Sequence, residues 1–162
     1  MEQITLLIKR NKKFEDCFLR VKKDYLKLFK KEKILNKPKA IQITNLKKVY
    51  IPMSFWIDNK FRRKEKTLFL GFSGGQGSGK TTVSEILKII LKKFFKRKIL
   101  VISIDNFYKT LKDRNKMSDQ IHPLFKTRGV PGTHDINLIK KFFNFLKKKN
   151  LVNLNYQNSI NQ

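Results

Sequence analysis

A run of eight residues at positions 74–81, Gly-Gly-Gln-Gly-Ser-Gly-Lys-Thr, constrains the fold of this chain more than any other feature. It matches the pattern G-x-x-x-x-G-K-[ST] at every defined position. A short apolar run, residues 67–73, precedes it, and residues 83–91 place apolar side chains at helical spacing after it. Strand, loop and helix in this order are the context in which the pattern forms a phosphate-binding loop, or P-loop. The sequence therefore predicts such a loop here.

The residue types of this loop suit a nucleoside triphosphate and Mg²⁺. Glycines let the backbone turn with its N–H groups pointing inward, and the following helix directs its positive dipole end at the same anion. Lys80 is expected to reach the β- and γ-phosphates, and the Thr81 hydroxyl to bind Mg²⁺. The alternative is a glycine-rich turn that precedes a lysine-bearing helix by chance. The predicted nucleotide-binding residues are Gly74, Gly75, Gln76, Gly77, Ser78, Gly79, Lys80, Thr81 and Thr82, the last as a residue of the first helical turn rather than a second metal ligand.

A second apolar run, residues 98–104, is rich in β-branched side chains. It follows the first by about 30 residues, which is the length of one βαβ unit. Two parallel strands with a right-handed crossover are implied, so the predicted fold class is α/β with a P-loop NTPase-type parallel sheet. Two strands make an incomplete sheet, because typical sheets have about four to six.

Asp105 comes directly after the second predicted strand. Open α/β sheets bind their ligands outside this edge. A carboxylate there is able to deprotonate or orient an attacking hydroxyl, or to hold Mg²⁺ through water, so Asp105 is a candidate catalytic and metal-binding residue. The alternative is a helix N-cap or a loop aspartate. Tyr108 is a candidate for lining the same pocket, with packing as its alternative role.

Three regions are predicted along the chain: a helical lead-in over residues 1–66, a partial P-loop core over residues 67–150, and a disordered tail over residues 151–162. The lead-in contains an amphipathic helix over residues 14–29 that ends before Pro38. Further predictions are a break in helical periodicity at Pro52, a polar loop over residues 108–133, and a helix over residues 135–149.

The formal net charge of +26 raises the question of a nucleic-acid or acidic-membrane partner. Only seven of the 38 basic residues are arginine, the residue that base readout and bidentate phosphate contacts favour. The lysines are spread along the whole chain and match solvated faces. We therefore favour no nucleic-acid partner, with contact to nucleic acid or acidic lipid as the alternative.

Cysteine content and hydropathy bear on the cellular compartment of the protein. Cys17 is the single cysteine, which excludes an internal disulfide and suits a reducing compartment. The sequence has no apolar run of the roughly 20 residues that span a bilayer, and its amino terminus lacks a signal-peptide pattern. The sequence predicts a cytoplasmic protein with no membrane partner. It does not show the oligomeric state.

Three segments in order carry a family resemblance: Ser-Ile-Asp-Asn-Phe-Tyr at 103–108, His-Pro-Leu at 122–124, and Arg-Gly-Val-Pro-Gly-Thr-His-Asp at 128–135. With the P-loop, they resemble the D-glycerate 3-kinase family, a branch of the P-loop kinases that also includes uridine kinase and phosphoribulokinase. The resemblance covers about residues 67–146. It implies ATP and Mg²⁺ as cofactors, D-glycerate as the phosphoryl acceptor and 3-phosphoglycerate as the product.

The resemblance also assigns roles to single residues. Asp105 matches the acidic residue that activates the substrate hydroxyl. Arg128 would suit a substrate carboxylate or the transferring phosphoryl group, with a plain surface arginine as the alternative. Tyr108, His134 and Asp135 are further candidate substrate-binding residues, although Asp135 is equally suited to capping the helix that begins there.

The resemblance implies more than this sequence contains. A further strand with an acidic residue, an arginine-bearing lid and the adenine contacts would all follow residue 162. We therefore expect the chain to be the amino-terminal portion of such a kinase, with transfer reduced by the missing lid. Two other functions stay open: a P-loop kinase for another small acceptor, such as a nucleoside, a sugar phosphate or a pantothenate-like acid, and a basic nucleotide-binding protein without kinase activity.

Overall fold

The computed structural model describes residues 2–31, 38–64 and 66–148. The predicted tail over residues 151–162 lies outside the described residues. The chain divides into two compact units, the first reaching Val101 and the second beginning at Ile102. Each unit is described by itself below.

The described part of the first unit contains four α-helices. The two middle helices are joined by a π-helical turn, and the third and fourth helices flank the predicted P-loop. Their bounds are Glu2–Lys31 (α1), Lys39–Asn45 (α2), Leu46–Tyr50 (π turn), Ile51–Lys64 (α3) and Lys80–Lys93 (α4).

The long helix α1 confirms the amphipathic helix predicted from apolar spacing. Its buried face, which includes Val21 and Tyr25, packs against Ile86 and Ile90 of α4 in the main core of the unit. The Tyr25 hydroxyl donates a hydrogen bond to the carbonyl oxygen of Gln42 at 2.8 Å, which satisfies a buried polar group. Helix α4, which follows the glycine-rich loop, is therefore held by burial of its apolar face.

The break predicted at Pro52 is wrong. Pro52 is the second residue of α3, and the backbone runs into that helix directly from the π turn. Proline has no N–H to donate, and the π turn directly before it, where the Ile51 N–H bonds to the Leu46 carbonyl oxygen, already departs from the α-helical pattern. The π turn therefore continues into α3 without an interruption.

A buried carboxylate joins α3 to the segment after α4. Asp58 is 4% exposed, and its two oxygens accept hydrogen bonds from Arg62 Nε at 2.7 Å and Arg97 Nε at 2.6 Å. The two charge-assisted bonds satisfy the carboxylate and offset the cost of its burial.

Replacing Asp58 with asparagine is expected to destabilise the protein by about 2 kcal/mol, below the roughly 3–5 kcal/mol of a fully buried pair, because both arginines keep some solvent access. Urea unfolding followed by circular dichroism measures this change. Asp16→Asn is the matched control, because Asp16 pairs with Arg20 at the same i, i+4 spacing but on the surface. Equal effects of the two substitutions would contradict the argument.

The predicted parallel sheet stays a prediction. In the described part of the chain no strand is assigned, and the isolated β-bridge there joins Tyr108 and His134 in antiparallel sense. Leu68 and Ile99, from the two predicted strands, nevertheless pack on the same small cluster as Leu87 and Leu91 of α4. The two apolar runs thus share one core contact with the helix between them.

The part of the second unit that the structure describes contains two α-helices and two 3₁₀ turns. Their bounds are Ile104–Phe107 (first 3₁₀ turn), Leu111–Gln120 (α5), Pro123–Lys126 (second 3₁₀ turn) and Ile136–Lys148 (α6). The polar loop predicted over residues 108–133 is therefore wrong, because α5 and a 3₁₀ turn occupy much of it, whereas the predicted helix over residues 135–149 is confirmed by α6. Phe142 of α6 packs on Phe107, with ring centroids 5.3 Å apart.

Candidate active site

The loop at positions 74–81 turns on two glycines that adopt a left-handed conformation. Gly77 has φ of 75° and Gly79 has φ of 82°, values that other residues rarely adopt. Gly79 is the N-cap of α4, and its carbonyl oxygen accepts the Val83 N–H at 2.9 Å. The loop thus delivers the chain into the first turn of α4, whose free N–H groups form an anion-binding end.

Lys80, the first residue of α4, has its ammonium group folded back onto the loop. Its Nζ donates to the carbonyl oxygens of Gly74 at 2.7 Å and Gly75 at 2.6 Å. The positive charge therefore lies against the glycine-rich backbone, within the loop that the motif assigns to phosphate. Lysine carries three N–H donors, so a phosphate oxygen is able to replace or join these carbonyls.

Thr81 lies in the first turn of α4 and is exposed. Its hydroxyl is a hard oxygen donor of the kind that Mg²⁺ takes. Within the described ranges, no group of three or more His, Cys, Asp and Glu side chains is placed to hold a metal ion. This donor set fits Mg²⁺, which keeps several waters and binds through one or two protein groups and substrate phosphates.

Changing Gly79 to alanine is expected to weaken Mg·ATP binding about tenfold, because a Cβ at positive φ costs roughly 1–2 kcal/mol and shifts the start of α4. Gly75→Ala is the control: it lies in the same loop, its φ is not positive, and a Cβ there would meet nothing within 4 Å. Titration with a fluorescent ATP analogue measures the nucleotide affinity of both variants. Equal affinity in the two variants would contradict this role for Gly79.

Asp105 lies in the first 3₁₀ turn of the second unit with an exposed carboxylate. The N-cap of that turn is Ser103, whose hydroxyl accepts the Asp105 N–H at 3.2 Å. The Ser103 hydroxyl also lies 3.3 Å from Asp105 Oδ2. The capping role that was the alternative for Asp105 therefore belongs to Ser103, and the Asp105 carboxylate remains accessible to a ligand.

Three of the candidate substrate-binding residues form one stacked cluster. The Tyr108 and His134 rings are stacked with centroids 4.1 Å apart, and the Arg128 guanidinium lies 5.6 Å from the centroid of the Tyr108 ring. The backbone holds this arrangement, since the Lys109 N–H donates to the Thr133 carbonyl at 2.9 Å. His134 Nε2 is buried without a hydrogen-bond partner among the described residues.

Asp135 adopts the capping role. Its Oδ1 accepts the Leu138 N–H at 2.9 Å, and its carbonyl oxygen accepts the Ile139 N–H at 3.0 Å, which makes it the N-cap of α6. Its contact with a substrate stays a prediction. Thr133, two residues earlier, is fully buried, and its hydroxyl donates to the Val130 carbonyl oxygen at 2.6 Å.

Comparison with known proteins shows that the chain is similar to kinases. The chain is 38% identical over 105 residues to a probable ATP-dependent kinase of Saccharomyces cerevisiae, covering 62% of this chain and 34% of the relative. It is 33% identical over 101 residues to the uridine kinase of Mycoplasma genitalium, covering 60% of this chain and 43% of the relative. It is also 32% identical over 110 residues to the chloroplastic D-glycerate 3-kinase of Arabidopsis thaliana, covering 61% of this chain and 24% of the relative.

The chain is therefore a homologue of ATP-dependent and small-molecule kinases, and it spans less than half the length of each of these three relatives. No protein-family profile matches it, and no solved structure does. None of the described helices combines the length and the apolar character needed to cross a membrane.

Proposed function

We propose that this chain carries the ATP-binding and acceptor-binding segments of a small-molecule kinase, with D-glycerate as the acceptor and 3-phosphoglycerate as the product. The observation that carries this proposal is the P-loop motif at the amino-terminal end of α4, with the Lys80 ammonium held against the loop backbone. The kinase homologues support the reaction class.

In this reaction an acceptor hydroxyl oxygen forms a bond to the γ-phosphorus of ATP. The bond between that phosphorus and the oxygen bridging to the β-phosphate breaks, and ADP leaves. Lys80 and the loop N–H groups stabilise the phosphate charge, and the Asp105 carboxylate takes the hydroxyl proton. Thr81 and, as the sequence predicts, Asp105 would hold Mg²⁺, which would supply charge neutralisation at the phosphates when bound.

The acceptor is proposed to be a small hydroxy acid. Arg128 is exposed, and it forms no ion pair with any described residue, so its planar fork is available to a carboxylate. Tyr108 and His134 are stacked on each other beside it and are proposed to contact the acceptor hydroxyls. Asp135 supports this segment by capping α6.

The D-glycerate 3-kinase relative supports this acceptor, whereas the uridine kinase relative supports a nucleoside at a similar level of identity. An acceptor panel separates the two. Coupled detection of ADP release, with the product identified by mass spectrometry, is run with Mg·ATP and D-glycerate, L-glycerate, uridine or pantothenate. We expect turnover with D-glycerate, and turnover with uridine instead would overturn the acceptor assignment.

Nucleotide binding without transfer to any acceptor is the remaining alternative. It would leave the chain as a basic nucleotide-binding protein, or as a catalytically inactive portion of a kinase. The net charge of +26 motivates one further assay, retention of RNA or DNA at about 0.15 M salt, at which weak electrostatic contacts are largely screened. The kinase proposal predicts no retention under that condition.

A further inference from the structure

Arg114 in α5 is a buried arginine that is not among the candidate site residues predicted from the sequence. Its side chain is 6% exposed, and it takes part in none of the ion pairs between described residues. Its donors reach two backbone carbonyl oxygens instead: Nε to Lys109 at 3.3 Å and Nη1 to Lys126 at 2.5 Å. A buried cation without a counter-ion is costly, and an apolar side chain would fill the same space without that cost.

The two carbonyls belong to the segments that carry the stacked cluster. Lys109 directly follows Tyr108, and Lys126 precedes Arg128 by two residues. The Arg114 guanidinium therefore joins the chain just after the tyrosine to the chain just before the arginine. Those two side chains meet each other, with the Arg128 guanidinium 5.6 Å from the centre of the Tyr108 ring.

We propose that Arg114 is a positioning residue that acts through Arg128: by bridging the two segments, it holds the Arg128 fork over Tyr108, ready for the anionic group of the acceptor. The inference rests on the proposed function in one respect, the identity of that anion as a carboxylate. The bridge itself does not depend on it. A guanidinium suits the task because its rigid planar fork donates in two directions at once, whereas an ammonium is a single point donor.

The first test needs no ligand. Protons over a tyrosine ring are shifted upfield, so the Arg128 Hδ resonances report the contact between Arg128 and Tyr108. We expect Arg114→Lys and Arg114→Gln to abolish that upfield shift, and the surface control Arg20→Lys to keep it. Two variants are used because the glutamine variant buries no charge and so avoids the cost of a buried ammonium group. A folded Arg114 variant that keeps the shift would overturn the proposal.

The second test is kinetic. Displacement of a positioned group costs up to about 100-fold, so we expect Arg114→Lys to raise KM for D-glycerate roughly ten- to 100-fold while KM for ATP stays unchanged. In the double variant, which combines Arg114→Lys with Arg128→Lys, KM for D-glycerate should be no higher than with Arg128→Lys alone, because Arg114 acts only through Arg128. Additive losses, or an equal rise in KM for ATP, would contradict positioning. Wild-type protein without glycerate-dependent turnover would remove the proposed function, and the resonance comparison alone would then decide on Arg114.

Discussion

Replacing Lys80 with alanine is expected to lower acceptor-dependent ADP formation by about 10²–10³-fold, the range found when one preorganised donor to a developing negative charge is removed. Lys80 is the cation that the P-loop places against its own glycine carbonyls, at 2.6 and 2.7 Å. Loss of that charge removes stabilisation of the transferring phosphoryl group. Steady-state kinetics at saturating Mg·ATP measure the effect.

Lys88→Ala is the matched control for Lys80. Lys88 lies on the same helix, and its ammonium pairs with the Glu85 carboxylate at 3.1 Å, away from the loop. Turnover by this variant should stay within about twofold of wild type, because a partly exposed pair of this kind contributes little. A Lys80→Ala variant that is folded and as active as Lys88→Ala would show that the loop does not hold the reacting nucleotide.

Changing Asp105 to asparagine is expected to reduce kcat by roughly 10²–10⁴-fold, the usual contribution of a general base. Asparagine keeps the size of the side chain and its ability to accept the Ser103 hydroxyl, but it does not take a proton. Affinity for ATP should change little, because the P-loop holds the phosphates. Initial rates and an ATP titration on the same preparation separate the two effects.

Asp119→Asn serves as the control for Asp105. Asp119 is an exposed aspartate of α5 that makes no ion pair with another described residue. The same change in charge at this position should leave kcat unaltered. If both variants lose activity equally, net charge rather than a specific carboxylate governs the rate. If neither variant loses activity, another group takes the proton of the acceptor hydroxyl and the assignment of Asp105 is wrong.

The sequence predicted those parts of the molecule whose signals are local. The glycine-rich loop and the helix after it are encoded by adjacent residues, and the amphipathic pattern of α1 and α6 has helical period. Helix α5 was missed because it has no apolar stripe. A local signal did exist: Thr110 caps α5, and its hydroxyl accepts the Asp113 N–H at 3.1 Å and donates to the carboxylate at 2.7 Å.

Features that depend on distant partners were beyond sequence reasoning. Whether the two apolar runs pair in a sheet depends on neighbouring strands, which a strand pattern alone does not specify. Asp58 was not singled out because one of its two partners, Arg97, lies far along the chain. The burial of Arg114 was unpredictable for a different reason, because a buried arginine on a polar helix has the same sequence pattern as an exposed one.

The most direct test of the account is coupled detection of ADP release from Mg·ATP, with and without D-glycerate, for the wild-type chain and its Lys80→Ala and Lys88→Ala variants. The account predicts release that depends on D-glycerate, yields 3-phosphoglycerate, disappears with Lys80→Ala and persists with Lys88→Ala. Wild-type protein that binds Mg·ATP but releases no ADP in response to D-glycerate would contradict it.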